Sequence, residues 1–216
     1  MYRYEDIKTI HLEVTQNCQA ACPMCDRNCN GKGVNPHIKL DELTLEDCKR
    51  IFSPSFIAQL NTMYMCGNLG DPIVAKDTLK IFKYFREHNP NMWLSMNTNA
   101  GAQNETWWAE LANIFGRMGS VIFSVDGLED TNHLYRQGVS WKAVERSMDA
   151  FIEAGGRARW DFLIFEHNQH QVEEAKALSE QKGFEKFTAK KTGRFITQDS
   201  KKKESHQAVN RKGKQT

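Results

Sequence analysis

The chain has 216 residues, six of them cysteine, and a formal charge of +2. Hydrophobic residues make up 40% and charged residues 26%, the balance of an ordinary globular domain long enough to fold without disulfides. No apolar run approaches the roughly 20 residues of a membrane span, and Met1-Tyr2-Arg3-Tyr4-Glu5-Asp6 leads into no signal-peptide core, so a cytoplasmic protein without membrane contact is expected.

Six strands are predicted from short β-branched and aromatic runs bounded by turn residues: Lys8–Val14, Thr62–Cys66, Met92–Met96, Ser120–Val125, Ala158–Phe165 and Lys186–Lys190. Several are apolar on both faces, as in a parallel sheet covered by helices. Helical spacing fills the gaps. Thr44 starts the first helix, with Asp47 placed for a capping box. Asp77 caps the second, which presents Leu79, Phe82 and Phe85. The third runs from about Asn104 and buries Trp107, Leu111, Ile114 and Phe115. Ser140 caps the fourth, which turns Trp141, Val144, Met148, Phe151 and Ile152 inward and ends at Gly155. The fifth carries Val172, Ala175 and Leu178 and ends at Gly183.

Strand alternates with helix, the signature of right-handed βαβ units on a parallel sheet. A closed (β/α)8 barrel needs eight strands and about 250 residues. Six strands in this length give an α/β fold, an open or partial (β/α)6 barrel, over residues 1–196. From 197 to 216 the composition turns basic and loses its aromatic residues, and a disordered tail is expected. The charge divides the same way: net −6 over residues 1–185 and net +8 over 186–216. A lysine-rich tail can contact phosphates, but without aromatics it offers no base stacking, so nucleic acid is not the expected partner.

The first strand-to-strand interval is the longest, and its excess lies in residues 15–43. A long irregular loop inside a compact domain is commonly functional. This one reads Thr15-Gln16-Asn17-Cys18-Gln19-Ala20-Ala21-Cys22-Pro23-Met24-Cys25-Asp26-Arg27-Asn28-Cys29, a C-x3-C-x2-C spacing with a fourth cysteine after it. Soft thiolates at this density favour zinc or an iron–sulfur cluster. Three readings stand: a closed four-cysteine zinc site, a four-cysteine [4Fe–4S] electron carrier, or a cluster on Cys18, Cys22 and Cys25 with one iron open. Cys29 discriminates between them. Cys48 falls on a helix face and Cys66 at a strand end.

Cys18-x3-Cys22-x2-Cys25 after the first strand resembles the cluster loop of the radical S-adenosylmethionine (radical SAM) superfamily. Three further segments are similar to that family in order along the chain. Gly67-Asn68-Leu69-Gly70-Asp71-Pro72 resembles its Gly-rich turn, with Asp71 in place of Glu. Asn97-Thr98-Asn99-Ala100-Gly101 resembles its Thr-Asn-Gly segment, and Ser124-Val125-Asp126-Gly127 its Ser-x-Asp-Gly segment. His133-Leu134-Tyr135-Arg136-Gln137-Gly138 is similar to a Tyr-Arg-Gly stretch of the branch that modifies peptides, and Asn168 fits a polar position of that branch.

The resemblance implies a [4Fe–4S] cluster on Cys18, Cys22 and Cys25 whose open iron chelates SAM, and reductive cleavage to a 5′-deoxyadenosyl radical that abstracts hydrogen from substrate. It implies SAM contacts from Met24, Gly67, Asn68, Gly70, Asp71, Asn97, Asn99, Ser124, Asp126, Arg136 and Asn168, with Met24 over the adenine and Arg136 on the carboxylate. It also implies a reductant such as ferredoxin or flavodoxin, and a peptide or protein side chain as substrate. No cysteine follows Cys66, so the auxiliary-cluster extension of the peptide-modifying branch is not expected within these residues. Asp161, inside an apolar strand, is either an interior carboxylate that needs a partner or an exposed edge residue.

Overall fold

A computed structural model describes residues 3–31 and 33–191. The residues predicted to form the tail, and the proposed core boundary at 196, lie outside that range.

Six parallel strands form one sheet in chain order: β1 (Thr9–Leu12), β2 (Thr62–Met65), β3 (Trp93–Thr98), β4 (Gly119–Ser124), β5 (Ala158–Ile164) and β6 (Lys186–Lys191). The helices are α1 (Leu45–Ile51), α2 (Pro54–Ala58), α3 (Thr78–His88), α4 (Glu105–Phe115), α5 (Asn132–Tyr135), α6 (Trp141–Glu153) and α7 (Val172–Lys182). β1 and β6 are the edges, so the sheet is an open (β/α)6 arrangement.

Burial alternates along the central strands. In β3, Leu94, Met96 and Thr98 are buried while Trp93, Ser95 and Asn97 are half-buried. The expectation of strands apolar on both faces holds best for β4, where only Ile122 and Ser124 are half-buried; in β3 the helices cover one face and the other is more polar and partly open. The covered face is aromatic. Trp108 of α4 stacks 5.6 Å from Phe123 of β4, and Phe151 of α6 meets the same ring at 5.9 Å. Each such side chain, fully buried, contributes about 1.5–3 kcal/mol.

Thr44 and Asp47 form the reciprocal capping box at α1. Asp77, expected to cap α3, makes no side-chain cap there. Its carboxylate accepts instead from the Leu45 N–H at the start of α1, 3.0 Å away, and so ties two helices together. Ser140 likewise makes no side-chain cap. On α4 the buried residues are Trp108, Leu111, Ala112 and Phe115, so the inward face is rotated from the expected one and Trp107 and Ile114 are only half-buried. Arg86 of α3 closes the far end of the sheet by donating to the carbonyls of Pro90, Met92, Ile114, Phe115 and Met118. It thereby satisfies carbonyls that the end of α4 leaves without helical partners.

Candidate functional site

In a parallel sheet every strand ends on the same rim, and the loops leaving that rim build the site. The longest is the cysteine loop. Its neck is closed by an antiparallel bridge between Thr15 and Glu42 and by the Leu43 N–H bonded to the Val14 carbonyl at 2.8 Å. Arg27, buried within the loop, donates to the Gln16 carbonyl at 2.9 Å and to Asn28 Oδ1 at 2.9 Å, and Asn28 Nδ2 reaches the Ala20 carbonyl. The loop is therefore held by its own polar side chains as well as by its neck.

A second turn locks onto it. A Cβ on Gly70 would lie 2.0 Å from the Thr15 carbonyl oxygen, and one on Gly67 2.0 Å from the Gly70 oxygen. Glycine is required here by close backbone approach, and the approach is to the cysteine loop. The Asp71 carboxylate is buried and accepts from the Asn99 N–H at 2.8 Å and the Ile73 N–H at 3.2 Å. Burial pushes its pKa up while those donors pull it down. Asp71 thus fastens the ends of β2 and β3 to one another. Gln19 Nε2 donates to Asn99 Oδ1 at 2.6 Å, which joins the loop to β3 as well.

These contacts enclose a cavity of about 520 Å³. Its wall includes Cys18, Cys22 and Cys25, Met24, the turn residues Gly67, Asn68, Gly70 and Asp71, the strand-end residues Asn97, Asn99, Ser124 and Asp126, and Arg136. Asn168 does not line it. That side chain is buried behind the rim, where Oδ1 accepts from the Phe165 N–H at 2.7 Å and Nδ2 donates to the carbonyls of Asp126 and Leu163, both at 2.9 Å. Cys29 is exposed, at a left-handed φ of 39°, and Cys48 is buried in the core; neither lines the cavity.

The charges in the cavity are paired. Arg136 Nε donates to Asp126 Oδ2 at 2.7 Å, and Asp126 Oδ1 accepts from the Leu163 N–H at 2.7 Å. Burial disfavours the charge on Arg136, but the Asp126 carboxylate overrides it and holds the guanidinium ionised. Arg136 Nη1 lies 3.9 Å from Cys22 Sγ. Cys18 Sγ accepts from the Ala20 N–H at 3.4 Å and from Asn99 Nδ2 at 3.5 Å. Burial, then the nearby Asp71 charge, pushes the Cys18 thiol up to about 12. Burial also raises Cys22, against the pull of Arg136.

Metal binding to such thiols displaces their protons. Among the described residues no three His, Cys, Asp or Glu side chains form a ready-made metal site. Soft thiolates of this kind are the ligands of iron–sulfur clusters.

The model of the radical SAM superfamily matches residues 12–178. The chain belongs to the radical SAM superfamily. Members of that family hold a [4Fe–4S] cluster and SAM. No curated protein matches the chain. Among solved structures, the fold is similar to SuiB of Streptococcus suis bound to S-adenosylmethionine, with a TM-score of 0.67 and 15% identity over 85% of this chain and 40% of that one. It is similar to anSMEcpe with bound AdoMet, with a TM-score of 0.66 and 17% identity over 85% of this chain and 49% of that one. It is also similar to anSMEcpe bound to AdoMet and the Cp18Cys peptide, with a TM-score of 0.66 and 17% identity over 92% of this chain and 55% of that one. The chain thus spans about half the length of these radical SAM structures or less.

Eight cavity residues were not among the expected contacts: Ala20, Asp26, Asn28, Cys66, Leu69, Thr98, Leu163 and Lys190. Asp161, left open between two environments, lines the cavity and ion-pairs with Lys190. Lys190 carried no local signal. It shares a sheet face with Asp161 once β5 and β6 are paired in register.

Proposed function

We propose that the chain is the catalytic core of a radical SAM enzyme acting on a peptide or protein side chain. Cys18, Cys22 and Cys25 are the cluster ligands, and one iron is left for the amino and carboxylate groups of SAM. When bound and reduced by one electron, this pair supplies a 5′-deoxyadenosyl radical that takes hydrogen from the substrate.

The chain's own residues bind, orient and exclude water. Met24 offers a polarizable thioether to the adenine face. The Gly67-Asn68-Leu69-Gly70 turn offers backbone to the SAM amino group, and the Arg136 fork suits a carboxylate. Asn97, Asn99 and Ser124 supply polar groups to the nucleoside. Asp126 orients Arg136, while Asp71 and Asn168 hold the strand ends behind the cavity.

The observation that carries this reading is the single cavity that joins three of the loop cysteines to the motif residues of β2, β3 and β4 while Cys29 stays outside it. A peptide substrate is supported by fold likeness to SuiB bound to the precursor peptide SuiA and to anSMEcpe bound to the Cp18Cys peptide. The electron would come from a carrier of the ferredoxin or flavodoxin type. A cytoplasmic setting is supported by six cysteines that are all free thiols. No helix among the described residues is long and apolar enough to cross a membrane.

The test is anaerobic reconstitution with iron and sulfide, reduction, addition of SAM, and assay for 5′-deoxyadenosine. The wild type should form it. Cys22→Ala should lose both cluster absorbance and product, and Cys29→Ala should keep both. Equal loss of cluster in the two variants would overturn the three-cysteine assignment.

A further inference from the structure

Part of the cavity wall belongs to none of the residues assigned to the cluster or to SAM. Asp161 and Leu163 of β5 and Lys190 of β6 form it. In the β5 and β6 register Arg159 faces Lys186, Asp161 faces Thr188 and Leu163 faces Lys190. Ala158, Trp160 and Phe162 are buried on the helix side, so these three pairs lie on the open face. That face carries Arg159, Lys186 and Lys190 against a single carboxylate, Asp161.

Two observations bear on this charge balance. Arg159 and Lys186 stand directly across from each other, an arrangement that disfavours the sheet, and among the described residues neither has a carboxylate partner, so the face carries cations in excess of its carboxylates. Lys190 is paired with Asp161, yet its side chain stays 48% exposed against 18% for Asp161. An ammonium has three donors, and Asp161 leaves some of them facing the cavity. On the opposite edge, Glu13 is already taken by the backbone N–H and side-chain amide of Asn68.

We propose that the β5–β6 wall is the substrate-anchoring part of the cavity and that it receives an anionic group, carboxylate or phosphate, on the ammonium of Lys190. An acidic peptide side chain and a phosphorylated one share this chemistry. Lys190 is then a specificity determinant. Asp161 positions it and competes with the incoming anion. This rests on the radical SAM reading for the meaning of the cavity, but its test does not require the cluster.

The test titrates the full-length reduced apo-protein, labelled with nitrogen-15, with glutarate, inorganic phosphate and uncharged glutaramide. Backbone amide shifts at residues 161–163 and 188–190 are followed. Glutarate or phosphate should shift them saturably and glutaramide should not. Lys190→Gln should weaken the anion about tenfold, the loss of one charge-assisted hydrogen bond. Asp161→Asn, which frees the ammonium, should tighten it, and the opposite signs separate binding from misfolding. Tighter glutarate would support an acidic side chain, and tighter phosphate a phosphorylated one. Unchanged anion affinity in Lys190→Gln, equal shifts with glutaramide, or no saturable shift at these amides would overturn the proposal. Failure of the wild type to form 5′-deoxyadenosine would overturn the enzymatic reading and leave this titration standing.

Discussion

Asp126→Asn is the sharpest probe of the site, because it keeps shape and removes one charge. Asp126 is fully buried, and its two oxygens serve different masters: Oδ2 takes Arg136 Nε at 2.7 Å and Oδ1 takes the Leu163 N–H at 2.7 Å. Asparagine can keep the Leu163 bond through its carbonyl. Its amide then faces the guanidinium, donor against donor. Arg136, with only 17% of its side chain exposed, becomes a buried cation that has lost its ion-pair partner. Breaking a buried pair in this way costs about 3–5 kcal/mol, a large share of a marginal fold's stability. Removing the stranded cation should recover part of that, so Asp126→Asn with Arg136→Met should cost about 2 kcal/mol less than the sum of the single variants. Urea unfolding of the reduced apo-protein, followed by tryptophan fluorescence, measures all four corners of the cycle. A cost below about 1 kcal/mol for Asp126→Asn, or strict additivity, would refute the claim that the pair is desolvated and mutually dependent.

Gly70→Ala should displace the cysteine loop, because the new methyl would lie 2.0 Å from the Thr15 carbonyl oxygen; reconstituted protein should hold less iron per chain than wild type, and equal iron in the two would refute the close-approach argument. At the start of α1, the hydroxyl and N–H of Thr44 and the guanidinium of Arg50 hold the Asp47 carboxyl down to about 2 from 3.8. Its folded pKa is depressed, so the capping contribution is fully present above pH 3.8 and is lost as pH falls through about 2. A carbon-13 NMR titration should place the midpoint near that lower value and move it up in Thr44→Ala; an unmoved midpoint would remove Thr44 as its cause.

The rim residues were legible in sequence because loop chemistry is local. Closely spaced cysteines, a turn that only glycine fits and polar residues at strand ends each declare themselves within a few positions. The inward face of α4 was not, because Trp107, Trp108, Leu111, Ala112, Ile114 and Phe115 are all apolar and periodicity cannot choose among them. α2 was missed for its length, although Ser53 followed by Pro54 is a helix start that could have been read. Asp71 and Asn168 show a different gap. Sequence places such residues near a ligand, but only the fold shows that their hydrogen-bonding groups are turned toward backbone. Lys190 was hidden because β6 is polar along most of its length, and its neighbourhood to Asp161 exists only after two strands pair.

The closed neck of the cysteine loop bears on how the chain passes from β1 to α1. Because Thr15 meets Glu42 and Val14 meets Leu43, β1 hands the chain on to α1 across a finished seam, and the loop between is a ring hung from it. The seam uses none of the loop's cysteines, so the passage of chain from β1 to α1 is held apart from them, while the ring itself is fixed by its further contacts with the Gly70 turn and with Asn99.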